Sequence, residues 1–214
     1  GNTTRTKLKL INQNVNRLMT LVEQIMDIRK YDNNVMKLKV GEIDLSLFIE
    51  EIVMLFKPAI RRKNIVIKCD LREHMMAYVD KEKFEKVVVN LLSNALKFTS
   101  ENGYIRISCE ETEFNFIICV EDSGDGIVKA DLEKVFDRFY QSSNIGTRGG
   151  TGIGLSLARY IVEQHKGKIW VDSEPGKGAK FYIQLLKGKA HFEEGEILER
   201  QQDSSDGIQY EVLE

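Results

Sequence analysis

Apolar residues Leu8, Ile11, Val15, Leu18, Val22 and Ile25 recur at alternating spacings of three and four, the seam of a helix built to pack against another helix. Met19 and Met26 widen the stripe, while Asn12, Asn16, Thr20, Glu23 and Asp27 occupy the opposite face. An isolated helix of this length is marginal in water, so the stripe calls for a partner. The pattern dissolves at Asp32-Asn33-Asn34. This predicts a bundle helix within 1–34, a linker over 35–42 and a domain beginning at residue 43.

Within that domain the period changes repeatedly. Ile43 to Leu45 predicts a short strand, and Ser46 is placed to cap a helix running to about Arg62, which Pro58 is expected to bend. Asn64 to Leu71 alternates as a strand and Ala77 to Val79 as a shorter one. Asp80 is placed to cap a helix reaching Phe98, and Gly103 opens a hairpin with arms Tyr104 to Glu110 and Phe114 to Glu121. A small helix over Ala130 to Phe136, a glycine-rich stretch, a helix from Gly152 to His165 and a strand pair, Lys168 to Ser173 and Ala179 to Leu185, follow. Helices on one side of a largely antiparallel sheet make an α+β two-layer sandwich over 43–188. From Lys187 the charge density rises and periodicity fades, so 189–214 reads as a C-terminal tail or linker.

Composition narrows the function classes. With 42% hydrophobic residues the chain can build a core, and 33 acidic against 31 basic side chains raise no long-range field for nucleic acid or anionic lipid. An anionic ligand has to be held locally. Cys69, Cys109 and Cys119 are scattered without a CxxC pair, which predicts buried strand thiols in a reducing compartment rather than a disulfide framework or zinc cage. No stretch reaches the about 20 apolar residues of a membrane span.

Candidate chemistry gathers between Asn90 and Leu155. Asn90, Asn94 and Lys97 share one helical face. An amide oxygen can ligate magnesium, its NH2 can donate to phosphate, and a lysine supplies compensating charge. Glu121-Asp122-Ser-Gly124-Asp-Gly126-Ile127 ends an apolar strand in a carboxylate followed by glycines, so Asp122 can accept from an exocyclic amine such as adenine's. Arg148-Gly149-Gly150-Thr151-Gly152-Ile-Gly154-Leu155 runs into a helix, where free backbone amides meet phosphate oxygens. It is neither a Walker loop nor a dinucleotide fingerprint. Phe136, Phe139 and Tyr140 stand at the foot of the segment from Gln141 to Gly150, which reads as a lid. Singly, each cluster has an ordinary alternative: a solvated helix face, an Asp-Gly turn or a flexible loop.

Their order and spacing resemble the N box, first glycine box, F box and second glycine box of sensor histidine kinases, over about Ile43 to Leu186. Gly176-Lys-Gly178 before a closing strand continues the likeness. The resemblance implies the Bergerat-type ATP-binding sandwich shared with gyrase, MutL and the heat-shock chaperone ATPases, with ATP and Mg2+ as ligands. It places the nucleotide among Asn90, Asn94, Lys97, Asp122, Gly124, Gly126, Ile127, Phe139, Tyr140, Arg148, Gly150, Thr151, Gly152, Gly154 and Leu155, with Asn94 on the metal. It also implies a homodimer through the N-terminal helix, a response-regulator receiver domain as partner, and a cytoplasmic location in a bacterial sensor anchored to the membrane by segments outside this chain.

Two positions depart from the pattern. Phe98 stands where many relatives have Tyr, and Gln141 where many have Arg, with Arg138 and Arg148 as candidate replacements. The family's phosphoacceptor, a histidine followed by an acidic residue on the first helix of a dimerising hairpin, has no counterpart at His74, His165 or His191. The Leu8 to Ile25 helix resembles the second helix of that hairpin. The expectation is therefore a kinase core that binds ATP and acts on a histidine outside these residues. A catalytically weak pseudokinase serving as a dimeric interaction module is the alternative. An ATP-hydrolysing clamp is disfavoured because Glu85 stands five residues before Asn90, off its helical face.

Overall fold

The computed structural model describes residues 37–141 and 151–198, together with the single positions Ile11, Val15 and Met26. Those three are helical and exposed. The remainder of the expected 1–34 helix, the segment 142–150 and residues 199–214 lie outside the described part.

Seven strands and three α-helices are described: β1 (Gly41–Asp44), α1 (Leu45–Arg62), β2 (Val66–Asp70), β3 (Met76–Val79), α2 (Lys81–Phe98), β4 (Tyr104–Glu111), β5 (Asn115–Asp122), α3 (Gly154–Gln164), β6 (Lys168–Ser173) and β7 (Ala179–Leu186). The main sheet has the order β2-β4-β5-β7-β6, parallel only between β2 and β4, and β1 pairs antiparallel with β3 in a separate ribbon. Alternate residues of the central strands, such as Phe116, Ile118 and Val120 on β5 and Phe181, Ile183 and Leu185 on β7, are buried against the helices. Period-2 alternation on the sheet and one apolar stripe per helix therefore close a single two-layer core. Phe84, wholly buried on α2, stacks on Phe48 of α1 with ring centroids 6.1 Å apart.

Several local expectations are revised by their surroundings. Asp44 rather than Ser46 caps α1, accepting from the amides of Ser46 (2.9 Å) and Leu47 (3.3 Å), because the Ser46 hydroxyl donates to the Arg72 carbonyl. Pro58 does not divide α1. The carbonyl it deprives belongs to Met54, on the exposed face, where water can replace the lost donor. Ala130 to Phe136 forms two short 3-10 turns, Lys129–Asp131 and Lys134–Phe136, rather than a helix. All three cysteines do lie on strands, but only Cys109 is buried, with burial pushing its thiol up to about 12. Cys69 is exposed because β2 is a sheet edge, paired on one side only.

The described parts of the segments read as linker and tail, 37–42 and 189–198, meet each other. Leu38 and Val40 are buried, and Phe192 joins them in a second small cluster. Asp80 caps α2 as expected, accepting from the Lys83 amide at 3.1 Å, and also accepts the Lys39 amide at 2.9 Å and the Lys83 ammonium. Burial works to raise its pKa, but these hydrogen bonds outweigh burial and leave it lowered. A carboxyl depressed in this way contributes stability above the ordinary aspartate range, lost as pH falls through its folded pKa. Asp80→Ala is expected to cost about 1–2 kcal/mol at neutral pH, read as a lower urea midpoint, and an unchanged midpoint would show that the cap is dispensable.

Candidate functional site

One cavity of about 470 Å³ opens between α2, α3 and the ends of β5 and β7. Four sequence features converge on it. Asn90, Asn94 and Lys97 enter from α2, Asp122 and Gly126 from the end of β5, Tyr140 from the chain after the second 3-10 turn, and Thr151, Gly152, Gly154 and Leu155 from the start of α3. Ile127 adds an apolar wall together with Val135 and Phe181.

Glycine is required where α3 meets α2. A Cβ on Gly154 would lie 2.1 Å from Asn90 Oδ1, so any side chain there would displace the amide. Gly126 and Gly152 have positive φ (71° and 70°), and a Cβ on them would strike the Glu174 carbonyl at 2.0 Å and the Phe139 backbone at 2.6 Å. Gly124 lies beside the cavity rather than on its lining. Its amide donates to Asp122 Oδ1 at 2.8 Å, fixing the carboxylate, and a Cβ there would meet the Phe98 carbonyl at 2.8 Å.

The cavity is polar in a directed way. Asp122 is 5% exposed, and burial pushes its carboxyl up to about 6, against the opposing pull of the Gly124 and Ala179 amides and with the negative charges of Glu121 and Asp125 adding to the rise. Desolvation lowers the Lys97 ammonium, which sits 4.7 Å over the Phe98 ring. Asn90 Nδ2 is buried without a hydrogen-bond partner, a cost that a ligand acceptor would remove. At the start of α3 the Ile153 amide donates to Thr151 Oγ1 at 3.3 Å.

Phe139 is placed differently from the expectation. Its ring is 65% exposed and off the cavity lining, and its contribution is through the backbone. With φ at +60°, unusual for a bulky residue, its amide donates to the Gly152 carbonyl at 2.8 Å and ties the chain before 142–150 to the chain after it. Tyr140 lines the cavity and bonds the carboxyl of buried Asp131. Arg148 and Gly150 lie outside the described residues, whereas both departures, Phe98 and Gln141, line the cavity.

Sequence reasoning did not select Ser93, Asp125, Val128, Val135, Pro175, Ala179 or Phe181 for the lining. Val135 and Phe181 read as ordinary apolar pattern residues. Pro175 arrives on the β6–β7 turn, which packs on Gly126 through the Glu174 carbonyl and the 2.7 Å bond from the Gly176 amide to the Asp125 carbonyl.

Residues 79–189 match the family described as histidine kinase-, DNA gyrase B- and HSP90-like ATPases. The sensor histidine kinase TmoS of Ectopseudomonas mendocina is 37% identical over 182 residues, 84% of this chain and 19% of the relative. The sensor histidine kinase WalK of Bacillus subtilis is 35% identical over 181 residues, 82% of this chain and 30% of the relative. This chain thus spans less than a third of either. Among solved structures, the catalytic domain of histidine kinase ThkA is 32% identical with a TM-score of 0.64, over 70% of this chain and 99% of that one. ThkA in complex with response regulator protein TrrA gives 29% and a TM-score of 0.71, over 86% and 52%.

The electrostatics can be read directly. A 13C titration of the aspartate carboxyls should find Asp122 near pH 6, and a midpoint in the ordinary aspartate range would mean that water reaches it. Gly154→Ala should shift the Asn90 side-chain amide resonances. Unchanged resonances would mean that α3 retreats without disturbing Asn90.

Proposed function

This chain belongs to the histidine kinase-, DNA gyrase B- and HSP90-like ATPase family, and we propose that it is the ATP-binding catalytic core of a sensor histidine kinase that phosphorylates a histidine outside these residues. The observation that carries the reading is the convergence, in one cavity with apolar walls, of a buried carboxylate, a desolvated ammonium and a partnerless amide. A purine with an exocyclic amine, joined to a polyphosphate, satisfies all three.

In this reading the ionised Asp122 accepts from the adenine amine, held in position by the Gly124 amide. Ile127, Val135 and Phe181 exclude water from the base. Lys97 balances phosphate charge, Asn90 donates from Nδ2, and the start of α3 presents its backbone amides. Among the described residues no group of three or more His, Cys, Asp or Glu could cage a metal ion. Magnesium suits such a site when it arrives with the phosphates, because it keeps several waters and needs few protein oxygens. Asn94 Oδ1 is the protein ligand we assign to it. The bound ion would neutralise phosphate charge and so favour departure of the γ-phosphoryl group.

The acceptor histidine is not among His74, His165 and His191. His165 is 1% exposed, with Nδ1 directed to the Ile161 carbonyl at 2.7 Å and Nε2 accepting the Asp80 amide at 2.9 Å. His74 lies 3.7 Å from Asp44 beside α1, and His191 packs on Phe192; neither lines the cavity. We assign dimerisation to the N-terminal helix, onward transfer to a receiver aspartate of a response regulator, the class of partner bound to ThkA, and a place on the cytoplasmic side of a membrane-bound sensor. No described helix is long and apolar enough to cross a membrane. The pseudokinase alternative finds no support among the relatives, which are named as sensor histidine kinases.

Calorimetry should show ATP binding that strengthens with magnesium, and no phosphate should appear on the chain alone. Asp122→Asn should weaken binding roughly 10- to 100-fold, the loss of one hydrogen bond to a charged acceptor. Equal affinities would remove Asp122 from the adenine. The amine needs the ionised carboxylate, so affinity should fall as pH drops through about 6, by roughly tenfold per unit well below that point. A flat profile between pH 5 and 7 would count against the assignment.

A further inference from the structure

The domain's entering and leaving segments are fastened to each other. Val40, wholly buried, donates its amide to the Glu196 carbonyl at 2.7 Å and accepts the Leu198 amide at 2.8 Å, forming a parallel bridge with Ile197. Residues 194–196 make a 3-10 turn closed by reciprocal Glu193 and Glu196 bonds, which sets the short run back toward Val40. Phe192 is 8% exposed and packs with Leu38 and Val40, its ring edge-on to His165 at 6.3 Å. These apolar residues form a cluster separate from the main core, with Tyr78 and Ile197 at its margin. A satellite cluster held by few bonds is the kind of unit that opens without global unfolding.

We propose that residues 189–198 are a latch on the connector 37–40, whose release frees the connector while leaving the nucleotide cavity intact. The latch bears on a node that the helices share. The Lys39 amide is bonded to Asp80 at the start of α2, and the Asp80 amide is in turn bonded to His165 at the end of α3. With Phe192 in place, connector and strap are held against both helix ends. With it out, Leu38 and Val40 lose their apolar cover and two of the bonds that fix the connector's direction. Anything that binds the released strap better than the docked one shifts this equilibrium by its differential affinity. The inference stands apart from the phosphotransfer reading, because none of these residues lines the cavity.

Hydrogen exchange and limited trypsin digestion of the full chain test it. Phe192→Ala should raise exchange at the Val40 and Leu198 amides together, and tryptic cleavage after Lys37 and Lys39, by roughly tenfold or more. Protection in β5 and β7 and ATP affinity should remain at wild-type values. Leu198→Pro removes the donor to the Val40 carbonyl at a side chain that is 54% exposed, and Ile197 already has the extended backbone a following proline needs. It should speed the same cleavages. Unchanged cleavage and Val40 exchange in both variants would overturn the latch. So would loss of protection spreading from Val40 into β5 and β7, which would make Phe192 part of the global core.

Discussion

The register between α2 and α3 is the constraint from which the site follows. At one end His165 Nε2 accepts the Asp80 amide at 2.9 Å, joining the last turn of α3 to the cap of α2. At the other, Gly154 lies so close to Asn90 that no side chain fits between them. The two helices are thus set by a buried hydrogen bond and by a contact only glycine permits. His165 is held neutral by the same packing, since burial lowers its pKa and its Nε2 is already used as an acceptor. Shifting either helix by one residue would leave a buried amide without an acceptor and misalign Asn90, Asn94 and Lys97 with the start of α3.

The cavity shows how packing converts ordinary residues into a ligand site. Asp122 is the last residue of a strand, and such a carboxylate is normally hydrated. Here it is enclosed by Ala179 of β7 and the turn after β5, which raises its pKa to about 6 and spends one of its oxygens on the Gly124 amide. Lys97 stands in the last turn of α2, favourable for the helix dipole, yet desolvation lowers its pKa. Both charges are strained by burial in a direction that a complementary ligand relieves. Binding and the electrostatics of the cavity are two views of the same desolvation.

At the far end of the helix pair the molecule behaves differently. The connector and the strap share a small apolar cluster and two backbone bonds at Val40, separate from the core under the sheet. The site end is built on close contacts between helices, whereas this end is built on a short, locally closed segment. Close helix contacts around the cavity and a connector held by a small cluster therefore coexist in one domain, because the two apolar clusters are distinct.

The amino-acid pattern by itself determined the element order, the Asp80 cap, the four boxes and their resemblance, because each is written in local periods or in adjacent residues. That none of His74, His165 and His191 is followed by an acidic residue was equally visible in the chain. Only tertiary structure decided that Asp44 and not Ser46 caps α1, since the competing acceptor, Arg72, is 26 residues away from Ser46. It decided that Phe139 meets Gly152 through its backbone, that Val135 and Phe181 wall the cavity, and that Phe192 is buried and residues 196–198 bond to Val40. Those outcomes depend on contacts between distant segments. A charged, aperiodic stretch such as 193–196 carries no local sign that its carbonyl will meet Val40, so local pattern marks the residues able to do chemistry and burial selects the ones that do.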